Sequence, residues 1–329
     1  MSKKFKWGIL GTGFIANQFA MGLQSIENAE IYAVGSRSQE SADTFGEKYG
    51  AAKKYSSYKE LASDPDVDII YIATPHPYHY ENALLCMNAG KNVLCEKPLT
   101  LNAKTAVKMI EVAKENNVFF MEAVWSRFLP VYAEIRKWLD SGLIGDIHLL
   151  KADLAYYEPW PAEDRHVNID LAGGVLLDVG IYTISFAQFV FGKKPENIQT
   201  IKHMGETGVD VDEAMIFDYG MGKMAMLFAS INVNMPHDAY IYGSKGCIHI
   251  KDFWHPVSAA LMVNGEEPKV VEMPFNATGY EFEAMAVMNC LEKGEKSCDL
   301  MPLEQTLEVM EVMDQIREDW GFVYPMEEI

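Results

Sequence analysis

Phe5-Lys6-Trp7-Gly8-Ile9-Leu10-Gly11-Thr12-Gly13-Phe14-Ile15-Ala16 is the stretch that decides the fold. An apolar run ends at Gly11, and a helical pattern of Ile15, Phe19, Met21, Leu23 and Ile26 follows. A strand, a glycine turn and a helix with GxGxxA spacing predict a dinucleotide site. Gly11 permits the tight turn, Gly13 lets the backbone approach a pyrophosphate, and Ala16 keeps helix and strand close. The first helical N–H groups, around Thr12, Phe14 and Ile15, are unpaired donors for an anion. Glycine-rich turns are common, so the motif takes its weight from what surrounds it.

Working outward, residues 31–34, 67–73, 92–95 and 118–121 read as strands, and 83–89 and 103–116 as helices. Residues 67–73 are nearly all apolar, as expected of a strand buried on both faces. Strands alternating with helices predict an α/β chain with a doubly wound parallel sheet, a Rossmann domain. The pattern changes near residue 122. Helical patterns recur at 131–139, 176–191, 280–291 and 303–316, and strands at 147–157 and throughout 196–273. At 329 residues the chain exceeds one core. The expected division is a dinucleotide-binding domain over 1–122 and an α+β domain over 123–329, with a large open, mostly antiparallel sheet for substrate binding and dimerisation.

Net charge is −19, which repels phosphate backbones and argues against nucleic acid as a partner. The five cysteines are odd in number and form no CxxC, so a disulfide scaffold is not expected and a reducing compartment fits. The N-terminus runs straight into a strand pattern without an apolar signal core, and no apolar run reaches bilayer length. The expectation is a cytoplasmic protein with no membrane partner.

In an open α/β sheet, ligands sit at the carboxyl ends of strands. After the second strand comes Ser36-Arg37, where an acid would bind the ribose 2′-hydroxyl of NAD. Hydroxyls and a guanidinium instead favour the 2′-phosphate of NADP, with NAD as the alternative, unless Arg37 is only a solvated helix-start residue. The third long strand ends in Thr74-Pro75-His76-Pro77-Tyr78-His79. His76 and His79 have the spacing of a metal pair, but no cysteine or acidic cluster supports them, so no metal is expected. They read instead as cofactor-facing groups or as helix-start residues. The next strand ends in Glu96-Lys97-Pro98, which puts Lys97 at the same edge.

These motifs, with Ala172-Gly173-Gly174-Val175-Leu176-Leu177-Asp178-Val179-Gly180-Ile181-Tyr182, resemble the Gfo/Idh/MocA oxidoreductase family and run in its order through both halves. The stretch Glu122-Ala123-Val124-Trp125-Ser126-Arg127-Phe128-Leu129-Pro130 is similar to the branch holding dihydrodiol and NADP-dependent D-xylose dehydrogenases. Many relatives place a histidine four residues after the aspartate, where this chain has Tyr182. The resemblance implies a nicotinamide cofactor contacted by the residues named above. It also implies hydride transfer at a hydroxyl or carbonyl carbon of a sugar, polyol or cyclic diol. A homodimer or dimer of dimers through the C-terminal sheet follows as well.

Asp178 and Tyr182, four apart in a helical pattern, share a face. They would simply cap and pack were it not for Lys97, which gives three groups for one reaction. Alcohol oxidation needs a base, and a free tyrosine at pKa about 10 is too weak. An ammonium at about 4 Å is worth on the order of 4 kcal/mol at an effective dielectric of 20, which is enough to make Lys97 and Tyr182 a workable pair. Asp178 would orient Lys97 or bind a substrate hydroxyl. Trp125, Tyr156 and Trp160 would wall the substrate, and Arg165 would touch cofactor or substrate, or lie on the surface. Two other readings stand: redox-neutral hydrolysis assisted by bound NAD, and a non-enzymatic dinucleotide-sensing regulator.

Overall fold

The six strands of the alternating segment are β1 (Phe5–Leu10), β2 (Ala29–Gly35), β3 (Lys53–Tyr55), β4 (Ile69–Ile72), β5 (Asn92–Glu96) and β6 (Phe120–Ala123). In the computed structural model, which describes residues 4–327, they pair in parallel in the order β3-β2-β1-β4-β5-β6. The order reverses between β1 and β4, where Leu10 pairs with both Gly35 and Ile72. That switch point sets Gly11 and Thr74 at neighbouring carboxyl ends. Trp7, Ile9, Ile70, Ile72, Val93 and Leu94 are fully buried, each contributing roughly 1.5–3 kcal/mol of transfer free energy. This is the expected sheet, with helices α1 (Phe14–Gln24), α2 (Gln39–Tyr49), α3 (Tyr58–Ser63), α4 (His79–Asn88) and α5 (Ala103–Glu115) between its strands. Ser38 caps α2 and Asn102 caps α5, each accepting from a backbone N–H three residues on.

By its contacts the chain forms two units. The first holds residues up to Arg127 and takes back Phe275–Leu307; the second holds Phe128–Pro274 and the residues from Glu308 on. The second unit carries α6 (Pro130–Asp140), α7 (Ile181–Phe191) and eight strands: β7 (Ile147–Ala155), β8 (Asn197–Met204), β9 (Asp210–Asp218), β10 (Met224–Ser230), β11 (Ala239–Gly243), β12 (Gly246–Ile250), β13 (Ser258–Val263) and β14 (Lys269–Glu272). They form one sheet in the order β14-β13-β12-β11-β7-β10-β9-β8, antiparallel throughout except where β7 and β10 run parallel. The fold is therefore α/β with a Rossmann sheet and a mostly antiparallel second sheet, as expected. Helix α8 (Glu281–Glu292) packs in the first unit beside α1, where Thr278 Oγ1 donates to Gln18 O at 3.0 Å. Helix α9 (Leu303–Trp320) passes from the first unit into the second.

One expectation needs correction. The segment Ile169–Phe191, 23 residues, is long and apolar enough to cross a membrane by length and composition. Glycines and polar side chains interrupt the run in the sequence, and 89% of its apolar window is buried in the structure. α7 is a core helix, apolar all round because it is enclosed.

Candidate active site

Gly11 has φ +104°, and a Cβ there would meet Ala73 O at 2.9 Å, so the turn after β1 admits only glycine. Gly13 is different. It is the N-cap of α1, with no side chain capping the helix, and a Cβ on it would meet no protein atom within 4 Å. Open space in front of unpaired helical N–H groups fits a pyrophosphate. Phe14 is 79% exposed beside this space, and Ile15 and Thr12 are half-buried. Between the ends of β1 and β2, Thr12 Oγ1 lies 3.4 Å from the buried Ser36 Oγ. Arg37 is exposed and stands just before the cap residue Ser38, so it is not part of helix α2. Burial pushes the Tyr58 hydroxyl up, and the charge of Arg37 opposes that shift.

Thr74 and Pro75 follow β4, and Thr74 Oγ1 accepts from Asn82 Nδ2 at 3.2 Å. His76 is buried in a short 3₁₀ turn, with its ring centroid 5.8 Å from that of His79. His79 is fully buried and faces two carbonyls: Thr74 O at 2.7 Å from Nε2 and Pro98 O at 2.8 Å from Nδ1. Burial outweighs these two acceptors and pushes its pKa down, and the nearby charge of Lys97 acts the same way. The ring thus lies between the loop after β4 and the loop after β5. The neutral ring carries one N–H and donates to one of these carbonyls at a time. Among the described residues no group of three or more His, Cys, Asp or Glu side chains is placed to hold a metal ion.

Lys97 is half-buried, and its peptide to Pro98 is cis. Carboxylates hold its loop on two sides. Glu96 accepts from the Lys97 N–H at 3.2 Å and takes a short hydrogen bond from the Tyr71 hydroxyl. Glu122 accepts from the Leu99 N–H at 2.8 Å and is pushed up to about 7 by burial. From α8 the fully buried Glu283 adds a third carboxyl, held well above the usual carboxylate range by burial and by the charge of Glu96. Trp125, also buried, stacks on Tyr280 with centroids 4.4 Å apart and planes 7° from parallel.

In the second unit, Asp178 sits in a π-turn, Leu176–Gly180, that runs into α7. Asp210 Oδ2 accepts from the Leu176 N–H at 2.6 Å, and Glu213 packs so closely under Gly180 that a Cβ there would lie 1.9 Å from Glu213 Oε1. Tyr182 follows four residues on, in the first turn of α7. Asp178 Oδ2 lies 3.4 Å from Arg165 Nη1 and 3.7 Å from His166 Nε2. His166 is oriented by Asp164, 2.5 Å from its Nδ1. Trp160 packs on the His166 ring at 4.0 Å, and Tyr156 stands edge-on to Trp160 at 6.3 Å. Tyr182 is half-buried and T-shaped against Trp254, with centroids 5.9 Å apart.

Residues 5–124 match the model of an oxidoreductase family with an NAD-binding Rossmann fold, and residues 132–249 match the Gfo/Idh/MocA C-terminal domain. Over 331 residues the chain is 40% identical to the trans-1,2-dihydrobenzene-1,2-diol dehydrogenase of Xenopus laevis, covering 97% of this chain and 99% of that protein. The chain belongs to the Gfo/Idh/MocA oxidoreductase family. The human trans-1,2-dihydrobenzene-1,2-diol dehydrogenase is 34% identical over 98% of each chain. Two solved structures share the fold. One is an aldose-aldose oxidoreductase from Caulobacter crescentus complexed with glycerol, at TM-score 0.88 and 23% identity over 97% of this chain and 99% of that one. The other is a 3-ketoreductase from Actinomadura kijaniata with NADP and TDP-benzene, at TM-score 0.85 and 24% identity over 96% and 98%. As a Gfo/Idh/MocA oxidoreductase, the protein binds a nicotinamide dinucleotide, and the open space at Gly13 fits it.

Within the first unit of this oxidoreductase, Gly11, Thr12, Gly13, Ser36, Thr74, Glu96 and Lys97 gather at strand ends, with His79 between the loops after β4 and β5. Within the second, Arg165 and Asp178 meet, and Trp160 reaches them through His166. Sequence reading missed His166, Glu283, Tyr280, His237 and Trp254. None belongs to a spaced motif; sheet register and helix packing bring each into place. Only Asp164-Arg165-His166, an acid–base–imidazole run just before Gly173, carried a local signal.

Proposed function

We propose that this oxidoreductase uses NADP to interconvert a hydroxyl and a carbonyl on a sugar or diol, with Lys97, Asp178 and Tyr182 serving one reaction. The observation that carries this reading is near full-length similarity to diol dehydrogenases, in a chain that keeps a lysine, an aspartate and a tyrosine in the matched motifs. When bound, the nicotinamide supplies the hydride acceptor or donor. Tyr182 takes the hydroxyl proton in oxidation and returns it in reduction, and the Lys97 ammonium favours the ionised phenol. Asp178, steadied by Arg165 and His166, accepts from a second substrate hydroxyl, and Trp125 and Trp160 offer apolar faces to a ring. Ser36 and Arg37 receive the 2′-phosphate, while Thr74, Pro75, His76 and Glu96 shape the loops around the nicotinamide half. An absorbance assay at the reduced-nicotinamide band, with both cofactors and a panel of trans-dihydrodiols, aldoses and polyols, tests this. Reduction of NADP by at least one diol or sugar is expected; no turnover anywhere in the panel contradicts it.

The same protein is proposed to work in the cytoplasm, consistent with five free cysteines, without nucleic acid or membrane, and as a homodimer or dimer of dimers. The support for assembly is the outer face of the second sheet. Ala225 and Leu227 of β10 are buried, whereas Met224 and Met226 are 42% and 44% exposed. Register continues this row from Met226 through Lys151 and Tyr240 to His249, Ala260 and Val270, and on the other side to Ile216. A solvated sheet face should alternate to polar residues; beside Lys151 and His249 this one carries methionines, tyrosines and an exposed Ile201. A second copy laid on the same face gives a two-fold contact. Sedimentation equilibrium at micromolar protein should give at least twice 37.0 kDa. Met226→Glu with Phe228→Glu should return it to one subunit. A wild-type monomer, or a dimer that survives both charges, would sink the idea.

A further inference from the structure

We propose that His237, a residue of the segment between β10 and β11, is a positioning residue for Tyr182, acting through Trp254. This rests on the reading of Tyr182 as the acid–base group. His237 Nδ1 lies 3.1 Å from Trp254 Nε1, and His237 Nε2 lies 2.9 Å from Ala155 O. An indole nitrogen only donates, so Nδ1 accepts. A carbonyl oxygen only accepts, so Nε2 donates. Both bonds are made at once by one tautomer alone, the ring carrying its hydrogen on Nε2. The imidazole is thus a fixed adaptor between the end of β7 and the indole.

Trp254 is only half-buried, so packing does not hold it on every side. Rings also pack against it: His255 at 4.1 Å, and Tyr182 at 5.9 Å with planes 66° apart. The edge-to-face contact sets the plane of the Tyr182 phenol, and the hydrogen bond to His237 sets the plane of Trp254. Acid–base groups work only within hydrogen-bond reach of the reacting oxygen, and misplacement by about 1 Å can cost on the order of a hundredfold. His237 itself lies one ring removed from Tyr182, so its effect is on geometry and not on proton transfer.

A competing role is purely structural. The His237 carbonyl accepts from the Phe253 N–H at 2.9 Å, so the residue also helps to join two loops. The two roles part in a set of variants assayed with NADP and a turned-over trans-dihydrodiol or aldose. His237→Leu removes the adaptor and should lower kcat about tenfold with KM for NADP unchanged. His237→Gln, whose amide can donate to Ala155 O and accept from the indole, should restore kcat to within about threefold of wild type. Trp254→Phe keeps a ring but loses the N–H; it should cost about as much as His237→Leu, and the two together no more than either alone. Additive losses, or a Gln variant as slow as the Leu variant, overturn the inference. If His237→Leu does not fold, the comparison of Trp254→Phe with and without His237→Gln still decides: a further loss on adding Gln counts against it. Nitrogen-15 NMR of the full-length protein gives a readout that needs no substrate. The His237 ring should show the Nε2–H pattern, and an Nδ1–H pattern overturns the proposal. Tyr182→Phe keeps the underlying reading separate. If that variant stays active, the assignment of Tyr182 fails. If it is inactive while His237→Leu is unaffected, only the role of His237 fails.

Discussion

Lys97→Met and Tyr182→Phe should each lower turnover by about 10²–10⁴-fold while leaving dinucleotide affinity nearly intact. The expectation comes from chemistry that neither residue can do alone. A phenol is a poor base at neutral pH, and a cation is what makes its ionised form accessible. Removing either group therefore removes the same step. The double variant should be little slower than the worse single one, because groups that act as a unit do not add. Each side chain sits on a well-braced backbone. Glu96, Glu122 and the buried His79 fix the Lys97 loop, and the π-turn over Glu213 leads into Tyr182. Side-chain truncation should consequently leave thermal stability within a few degrees. Steady-state kinetics with dinucleotide titrations checks both points, and fully additive losses would mean that the two residues act separately.

Arg37→Ala should cut affinity for NADP by roughly ten- to a hundredfold and leave affinity for NAD within a fewfold. A hydrogen bond to a charged group is worth about 1.5–3 kcal/mol, and only NADP carries the phosphate that receives it. Arg37 is exposed and precedes the cap of α2, so its loss should not disturb the helix. Ser36, buried and within reach of Thr12, would remain to receive a ribose hydroxyl from either cofactor. Fluorescence or calorimetric titration with both dinucleotides measures the ratio. Equal losses for both would show that Arg37 contacts a part of the cofactor the two share.

Much of this was legible in the chain because the Rossmann half is written in local rules. Strand periodicity, the turn glycine at Gly11 and the proline-marked loops after β4 and β5 each depend on a few neighbouring residues. Strand ends moved by a residue or two; the long run at 67–73 shortened to Ile69–Ile72. The π-turn was not legible, because Asp210 and Glu213, on a distant strand, shape it and no periodicity reports them. His79 illustrates the same limit. Its place in the motif and at the start of α4 was legible, but its burial between the carbonyls of Thr74 and Pro98 is a tertiary fact that no local pattern reports. Asp178 and three glycines interrupt the apolar run of the membrane-length segment, and enclosure, which buries most of it, is a tertiary fact. The outer face of the second sheet is marked in β10 itself, where both alternating sets are apolar and Met224 and Met226 of one set are exposed.

The central claim is direct hydride transfer between a substrate carbon and the nicotinamide, and isotope tracing tests it most directly. A turned-over aldose or dihydrodiol, deuterated at the carbon to be oxidised, would be incubated with this enzyme and NADP, and the reduced cofactor examined by NMR. One deuterium per turnover at C4 of the nicotinamide, on a single face, is the predicted result. Product formed with unlabelled nicotinamide, or with no net reduction of the cofactor, would contradict hydride transfer and favour redox-neutral chemistry.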